Sequence, residues 1–304
     1  MFKKILLSFV FVSSLVNSMF SPMAFAVVDF DVNSNSNSSF ELIKQSALLS
    51  AASYDKTDLI AKRLQVFDYA LVHYAELPGS AVSYYLARSS SGLQQLAFRG
   101  TANLENVLVD LDVQLQLDKG LGIQLHQGFS AAAKAVYDNA LPYLDKTKPV
   151  QATGHSLGGA VAVIVGMYLQ RDGFQLTNVI TFGQPKVTNV KGAGAFQGLP
   201  LTRVVTPSDI VPLVPPLSPL QLQNLDIYWH MGNEVILLPG KQYALTDGIK
   251  SMMRATKFVS SVPDESNLHA HQMETYLGLI EQKIEGAVQT EYKMELSVFG
   301  FSFN

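Results

Sequence analysis

Residues 151–171 read QATGHSLGGAVAVIVGMYLQR. The approach, PVQAT at 149–153, has the length and apolar content of a short buried strand. Gly154-His155-Ser156-Leu157-Gly158 then forces a sharp turn, and GAVAVIVGMYLQR resumes with the composition of a buried helix. A G-x-S-x-G turn between strand and helix needs its glycines, because the serine sits where neighbouring side chains would collide. It lifts the serine hydroxyl to the C-terminal edge of a sheet, at a helix N-terminus. There, free backbone N–H groups and the helix dipole favour negative charge. The bland alternative is a glycine-rich loop with an incidental serine.

Working outward, ELIKQSALLSAASYD (41–55) has helical apolar spacing from Phe40 onward, and VSYYLARSS and GLQQLAFRG (82–100) flank a Ser/Gly turn as paired strands. HQGFSAAAKAVYDNALPYL (126–144) reads as a helix ending near Pro149, and NVITFG (178–183) and LTRVVT (201–206) read as further strands. Strands alternating with helices predict an α/β fold, a mostly parallel central sheet with helices on both faces. PSDIVPLVPPLSPL (207–220) follows a strand directly and is too rich in proline to continue it, so it is a loop at a strand end. VQTEYKMELSVFGFSFN (288–304) alternates as a strand might, and the tail 281–304 has no assigned place.

The gross features exclude several functions. Of 304 residues, only 15% are charged and the net charge is −3, so no basic stripe offers itself to nucleic acid. No cysteine is present, which removes disulfides, thiolate metal ligands and cysteine nucleophiles. Lys3 and Lys4 precede the apolar run ILLSFVFVSSLV, and Ala24-Phe25-Ala26 supplies a small-residue processing site. Residues 1–26 therefore read as a secretory signal peptide cleaved after Ala26, rather than a membrane anchor; it would suit a bacterium, with export to the periplasm or beyond. DVNSNSNSSF opens a Ser/Asn-rich flexible leader over 27–39, and 40–304 form one domain with no later membrane-spanning run.

A serine nucleophile needs a base and a group to orient it. Asp209, in PSDIVP just after the strand LTRVVT, stands where loops at strand ends collect; its plain reading is a turn or capping aspartate. Asp226, Asp247 and Asp264 compete, but none follows so plain a strand. His269 and His271 lie in LHAHQMETYL (268–277). Asp264, Glu265 and Glu274 nearby lack recognised metal-ligand spacing, so no metal site is expected.

GHSLGGA, with FRGT at 98–101, HQGF at 126–129, TFGQPKV at 181–187, SDIVP at 208–212 and HQMETYL at 271–277, resembles the class 3 lipase family, the α/β-hydrolases related to fungal triacylglycerol lipases. The blocks occur in the family's order over roughly residues 84 to 280. The resemblance implies an α/β-hydrolase fold and a triad of Ser156, Asp209 and His271, since His271 has Met273 and Tyr276 at the family's offsets and His269 does not. It implies Thr101 as an oxyanion-hole donor beside the N–H of Leu157, with Asp110 steadying the Thr101 hydroxyl. Thr101 would also serve as a helix N-cap. His155, His126 and His230 take packed or structural places, and His73 has no motif around it.

In TANLENVLVDLDV (101–113), Leu104, Val107, Leu108 and Leu111 recur at helical spacing. Such a stripe usually packs on a core; the family carries an amphipathic lid here, though Val107 replaces a common Trp. The expectation is a secreted carboxylic ester hydrolase acting on lipids at a lipid–water interface, without a cofactor. A phospholipase A or an esterase of small soluble substrates is the near alternative, and a catalytically silent lipid-binding protein the distant one.

Overall fold

The computed structural model describes residues 36–79, 82–100, 114–216, 221, 223, 226–246, 265–292, 296–298 and 301–303. The expected signal peptide, most of the leader, and the whole of 101–113 lie outside the described residues, as do Asp247 and Asp264.

Nine strands form the main sheet: β1 (Tyr69–Leu77), β2 (Val82–Ser89), β3 (Gln94–Phe98), β6 (Val150–His155), β7 (Leu176–Phe182), β9 (Leu201–Val205), β11 (Asn233–Leu237), β12 (Gln242–Thr246) and β13 (Val288–Gln289), in that spatial order. From β3 to β11 every neighbour is parallel, and antiparallel pairs join β1 to β2, β2 to β3 and β11 to β12. A smaller sheet orders β10 (Tyr228–Trp229), β8 (Thr188–Asn189), β5 (Ile123–His126) and β4 (Leu115–Asp118).

Alternation along the central strands sends successive residues to opposite faces. Val179 of β7 joins the core under α3 (Gln127–Ala140) and α4 (Leu157–Arg171). Its neighbour Ile180 joins the core under α1 (Ser36–Ala52) and α7 (Met273–Ile284). Leu96 and Ala97 of β3 divide in the same way, Ala97 packing with Ile60 and Leu64 of α2 (Thr57–Gln65). Helices therefore cover both faces, and the central strands read as continuous apolar runs because neither face meets water. Helix α4 is buried on every side from Gly158 to Leu169, which explains its lack of a polar stripe. Helices α5 (Val190–Ala195) and α6 (Glu265–His271) also lie among the described residues, the latter joined to α7 through Gln272.

Some expectations move. Helix α1 begins at Ser36 rather than Phe40, taking in the end of the supposed leader. Helix α3 stops at Ala140 and not near Pro149: Pro142 cannot donate to the ladder, and Leu141–Tyr143 tighten into a single 3-10 turn. The tail divides into β13, an edge strand parallel to β12, and a hairpin of β14 (Leu296–Val298) with β15 (Phe301–Phe303).

Candidate active site

The turn between β6 and α4 holds Ser156 at φ 58° and ψ −129°, a left-handed conformation for a residue with a side chain. Such strain costs on the order of 1–3 kcal/mol and persists only where the surroundings over-determine it. They do so here through close packing. A Cβ on Gly154 would sit 2.3 Å from the carbonyl oxygen of Gly158, and one on Gly158 would sit 2.2 Å from that of Phe98. The Ser156 N–H donates to the Phe182 carbonyl at 2.9 Å, and its own carbonyl accepts from the N–H of Gly159 at 2.9 Å. Leu157 opens the helix, where amide N–H groups have no partner one turn back.

A strand end and a helix end supply the rest. Asp209 follows β9 and is fully buried; His271 closes α6 and is 3% exposed. His271 Nδ1 lies 2.9 Å from Asp209 Oδ2, and since a carboxylate accepts, Nδ1 carries the proton. The Tyr276 hydroxyl donates to the same Oδ2 at 2.5 Å, while the Val211 N–H donates to Oδ1 at 2.9 Å. The buried carboxylate thus has both oxygens satisfied, which its burial requires. His271 Nε2 is buried without a hydrogen-bond partner among the described residues, and no hydrogen bond joins it to Ser156. It is the ring nitrogen left with a lone pair.

The backbone at Gly183, which follows β7, runs beneath this pair at φ +56°. A Cβ there would fall 2.8 Å from Asp209 Oδ2 and equally close to His271 Nδ1 and Cε1. On the other side, Gly100 presses against the turn: a Cβ on it would meet the His155 carbonyl at 2.7 Å and Ser156 Cβ at 3.2 Å. Thr101 follows directly, but Thr101, Asp110 and the stripe Leu104, Val107, Leu108 and Leu111 lie outside the described residues.

Residues 95–218 match the family described as Lipase (class 3). Over that span the chain is similar to the class 3 lipase family. A lipase of Rhizopus niveus is 31% identical over 158 residues, which are 48% of this chain and 40% of the relative. A protein of Fusarium solani named secreted mono- and diacylglycerol lipase 1 is 30% identical over 177 residues, covering 52% of this chain and 50% of that one. The matched region thus spans about half or less of those relatives' own length. The solved structure of lipase II from Rhizopus niveus superposes with a TM-score of 0.58 at 26% identity, over 67% of this chain and 82% of that one. The architecture is the α/β-hydrolase fold of those lipases. The relatives named are fungal and give no support to a bacterial source.

The other histidines separate cleanly. His269 is exposed and shares the Thr275 hydroxyl. His126 caps α3, accepting from the Phe129 N–H and stacking on that ring. His230 Nε2 donates to the Pro212 carbonyl, and His73 pairs with Asn139. Asp226 binds Asn189, far from the triad candidates in role. No group of three potential metal ligands exists among the described residues. Among those residues, too, no helix is long and apolar enough to cross a membrane.

Sequence reasoning used Tyr276 only as a spacing mark and missed its bond to Asp209. It missed Lys186 as well. This buried side chain donates to the carbonyls of Leu213 at 2.6 Å and Pro215 at 2.9 Å, while its backbone N–H bonds Val214. It pins the proline-rich loop that carries Asp209. Burial, with the charge of Arg203 adding to it, pulls the ammonium pKa down to about 7.

Proposed function

We propose that this protein is a serine hydrolase that cleaves carboxylic esters of lipids. The observation that carries this reading is the buried Asp209–His271 pair, with His271 Nε2 left bare beside a strained serine turn. His271 Nε2 takes the Ser156 proton as Oγ attacks the ester carbonyl, and Asp209 orients the ring and balances the imidazolium. The N–H of Leu157 and, by the family pattern, Thr101 receive the oxyanion; Asp110 supports Thr101. The leaving alcohol takes its proton from His271, giving an acyl-Ser156 ester. Water, deprotonated by the same histidine, then releases the fatty acid. No metal or organic cofactor enters these steps.

The names of the fungal relatives support a lipid ester as substrate, and the segment carrying Leu104, Val107, Leu108 and Leu111 would meet a lipid surface as a lid. The N-terminal signal sequence and the Fusarium solani relative's description as secreted support export. The test is hydrolysis of p-nitrophenyl esters from acetate to palmitate, below and above substrate aggregation, by purified wild type and Ser156→Ala. Activity lost in the variant and rising on aggregated long-chain esters supports a lidded lipase. Activity confined to short soluble esters makes the protein an esterase, and equal inertness of both forms overturns the hydrolase reading.

A further inference from the structure

His155 fills the variable slot of G-x-S-x-G, and its surroundings assign it more than a packing role. Its Nε2 lies 2.7 Å from the main-chain carbonyl oxygen of His271, and its Nδ1 lies 2.9 Å from the Tyr54 hydroxyl. That hydroxyl in turn receives the N–H of Gly100 at 3.2 Å. The three residues come from different elements: the end of β6, the turn after α1 and the end of β3. The His155 and His271 rings stand 4.5 Å apart.

The proton positions in this chain follow from donor and acceptor identities together with the burial of the His155 ring. A carbonyl oxygen only accepts, so His155 Nε2 carries a proton. Burial, reinforced by the neighbouring His271, holds His155 well below the usual histidine range, so the ring is neutral and Nδ1 is bare. The Tyr54 hydroxyl must then donate to Nδ1, which leaves its oxygen to accept from Gly100. Burial pushes Tyr54 up to about 12, consistent with a hydroxyl that keeps its proton. The relay runs in one direction: Gly100 N–H to Tyr54 oxygen, Tyr54 O–H to His155 Nδ1, His155 Nε2–H to the His271 carbonyl.

We propose that Tyr54 and His155 are positioning residues which tie the backbone of the base, His271, to the strand end that leads into Thr101. This rests on the reading of Ser156 and His271 as nucleophile and base. The main chain of His271 lies at the junction of α6 and α7, where the bond to Asp209 fixes only the ring. The carbonyl bond from His155 fixes the backbone under it, and the Gly100 bond holds the oxyanion side in the same frame. Misplacing a reacting group by about 1 Å can cost on the order of 100-fold in rate, so such a brace acts on turnover rather than on substrate affinity.

The experiment compares Tyr54→Phe, His155→Gln and His155→Leu with wild type on p-nitrophenyl butyrate, with Ser156→Ala beside them. His155→Leu lowers kcat by about 10- to 100-fold with KM nearly unchanged. His155→Gln, whose amide can still donate to the His271 carbonyl, recovers most of that loss. Tyr54→Phe falls between, and adding it to His155→Leu costs less than it does alone, because the relay is already cut. If every folded variant keeps wild-type kcat and loses only melting temperature, the two residues are packing and the proposal fails. Should His155→Leu not fold, imidazole 15N spectra of the wild type decide: a protonated Nε2 and bare Nδ1 on His155 uphold the relay, and the reverse overturns it. Activity surviving in Ser156→Ala would instead sink the hydrolase reading itself.

Discussion

Gly183→Ala acts on the Asp209–His271 geometry from the backbone directly against the pair. The added methyl would lie 2.8 Å from Asp209 Oδ2, His271 Nδ1 and His271 Cε1 at once. Carbon contacts are comfortable only from about 3.5 Å, so the pair must retreat by roughly 0.7 Å or the backbone beneath must shift. The left-handed φ of +56° adds about 1–2 kcal/mol for any residue with a Cβ, and overpacking adds about 1–3 kcal/mol. Neither Asp209 nor His271 can give way freely, since Tyr276 and Val211 hold the carboxylate. We therefore expect a total destabilisation of about 2–5 kcal/mol by urea unfolding. Among molecules that remain folded, kcat on p-nitrophenyl butyrate should drop about 10- to 100-fold with KM little changed. A variant that keeps kcat within twofold of wild type would show that the pair does not depend on this floor, and the reasoning would be wrong.

Three further outcomes follow from the same contacts. Tyr276→Phe removes a 2.5 Å donor from a buried carboxylate and should cost about 1.5–3 kcal/mol in urea unfolding while lowering kcat less than Gly183→Ala does; an unchanged unfolding midpoint would contradict the bond's importance. Gly158→Ala drives a Cβ to 2.2 Å from the Phe98 carbonyl, a backbone atom that no rotamer change relieves, so a loss of about 3 kcal/mol or more is expected, read as a fall in soluble yield and melting temperature. Lys186 titrates near 7 when folded and near 10.5 when unfolded, so between those values the unfolded chain binds more protons and folding gains stability as pH rises. The unfolding free energy of wild type relative to Lys186→Met should therefore climb from pH 7 to 10, by at most about 1.4 kcal/mol per pH unit, and a flat difference would refute the neutral buried lysine.

What the sequence makes visible is what short-range chemistry encodes. The turn around Ser156 is legible because glycines at 154 and 158 answer a local steric need, and the buried strands and α4 because their apolar runs are continuous. Strand β1 escaped notice: at the sheet edge its burial alternates irregularly, and a register shift between Leu71 and His73 breaks the period of two. The start of α1 is not legible because serine and asparagine are weak helix formers and resemble linker, yet the helix runs over them from Ser36. The bonds of Tyr276 to Asp209 and of Tyr54 to His155 span 67 and 101 residues, so no spacing rule could pair them. Lys186 was hidden for another reason: a lysine reads as surface until its carbonyl partners are known.

The most direct test of the central claim, that Ser156 is a nucleophile served by His271, is covalent capture. Purified protein would be treated with p-nitrophenyl ethylphosphonate and digested, and the modified residue located by mass spectrometry. The account predicts a single adduct on the peptide carrying Ser156, formed rapidly in wild type and slowed by orders of magnitude in His271→Ala. An adduct on another residue, or equal labelling rates in wild type and His271→Ala, would contradict it.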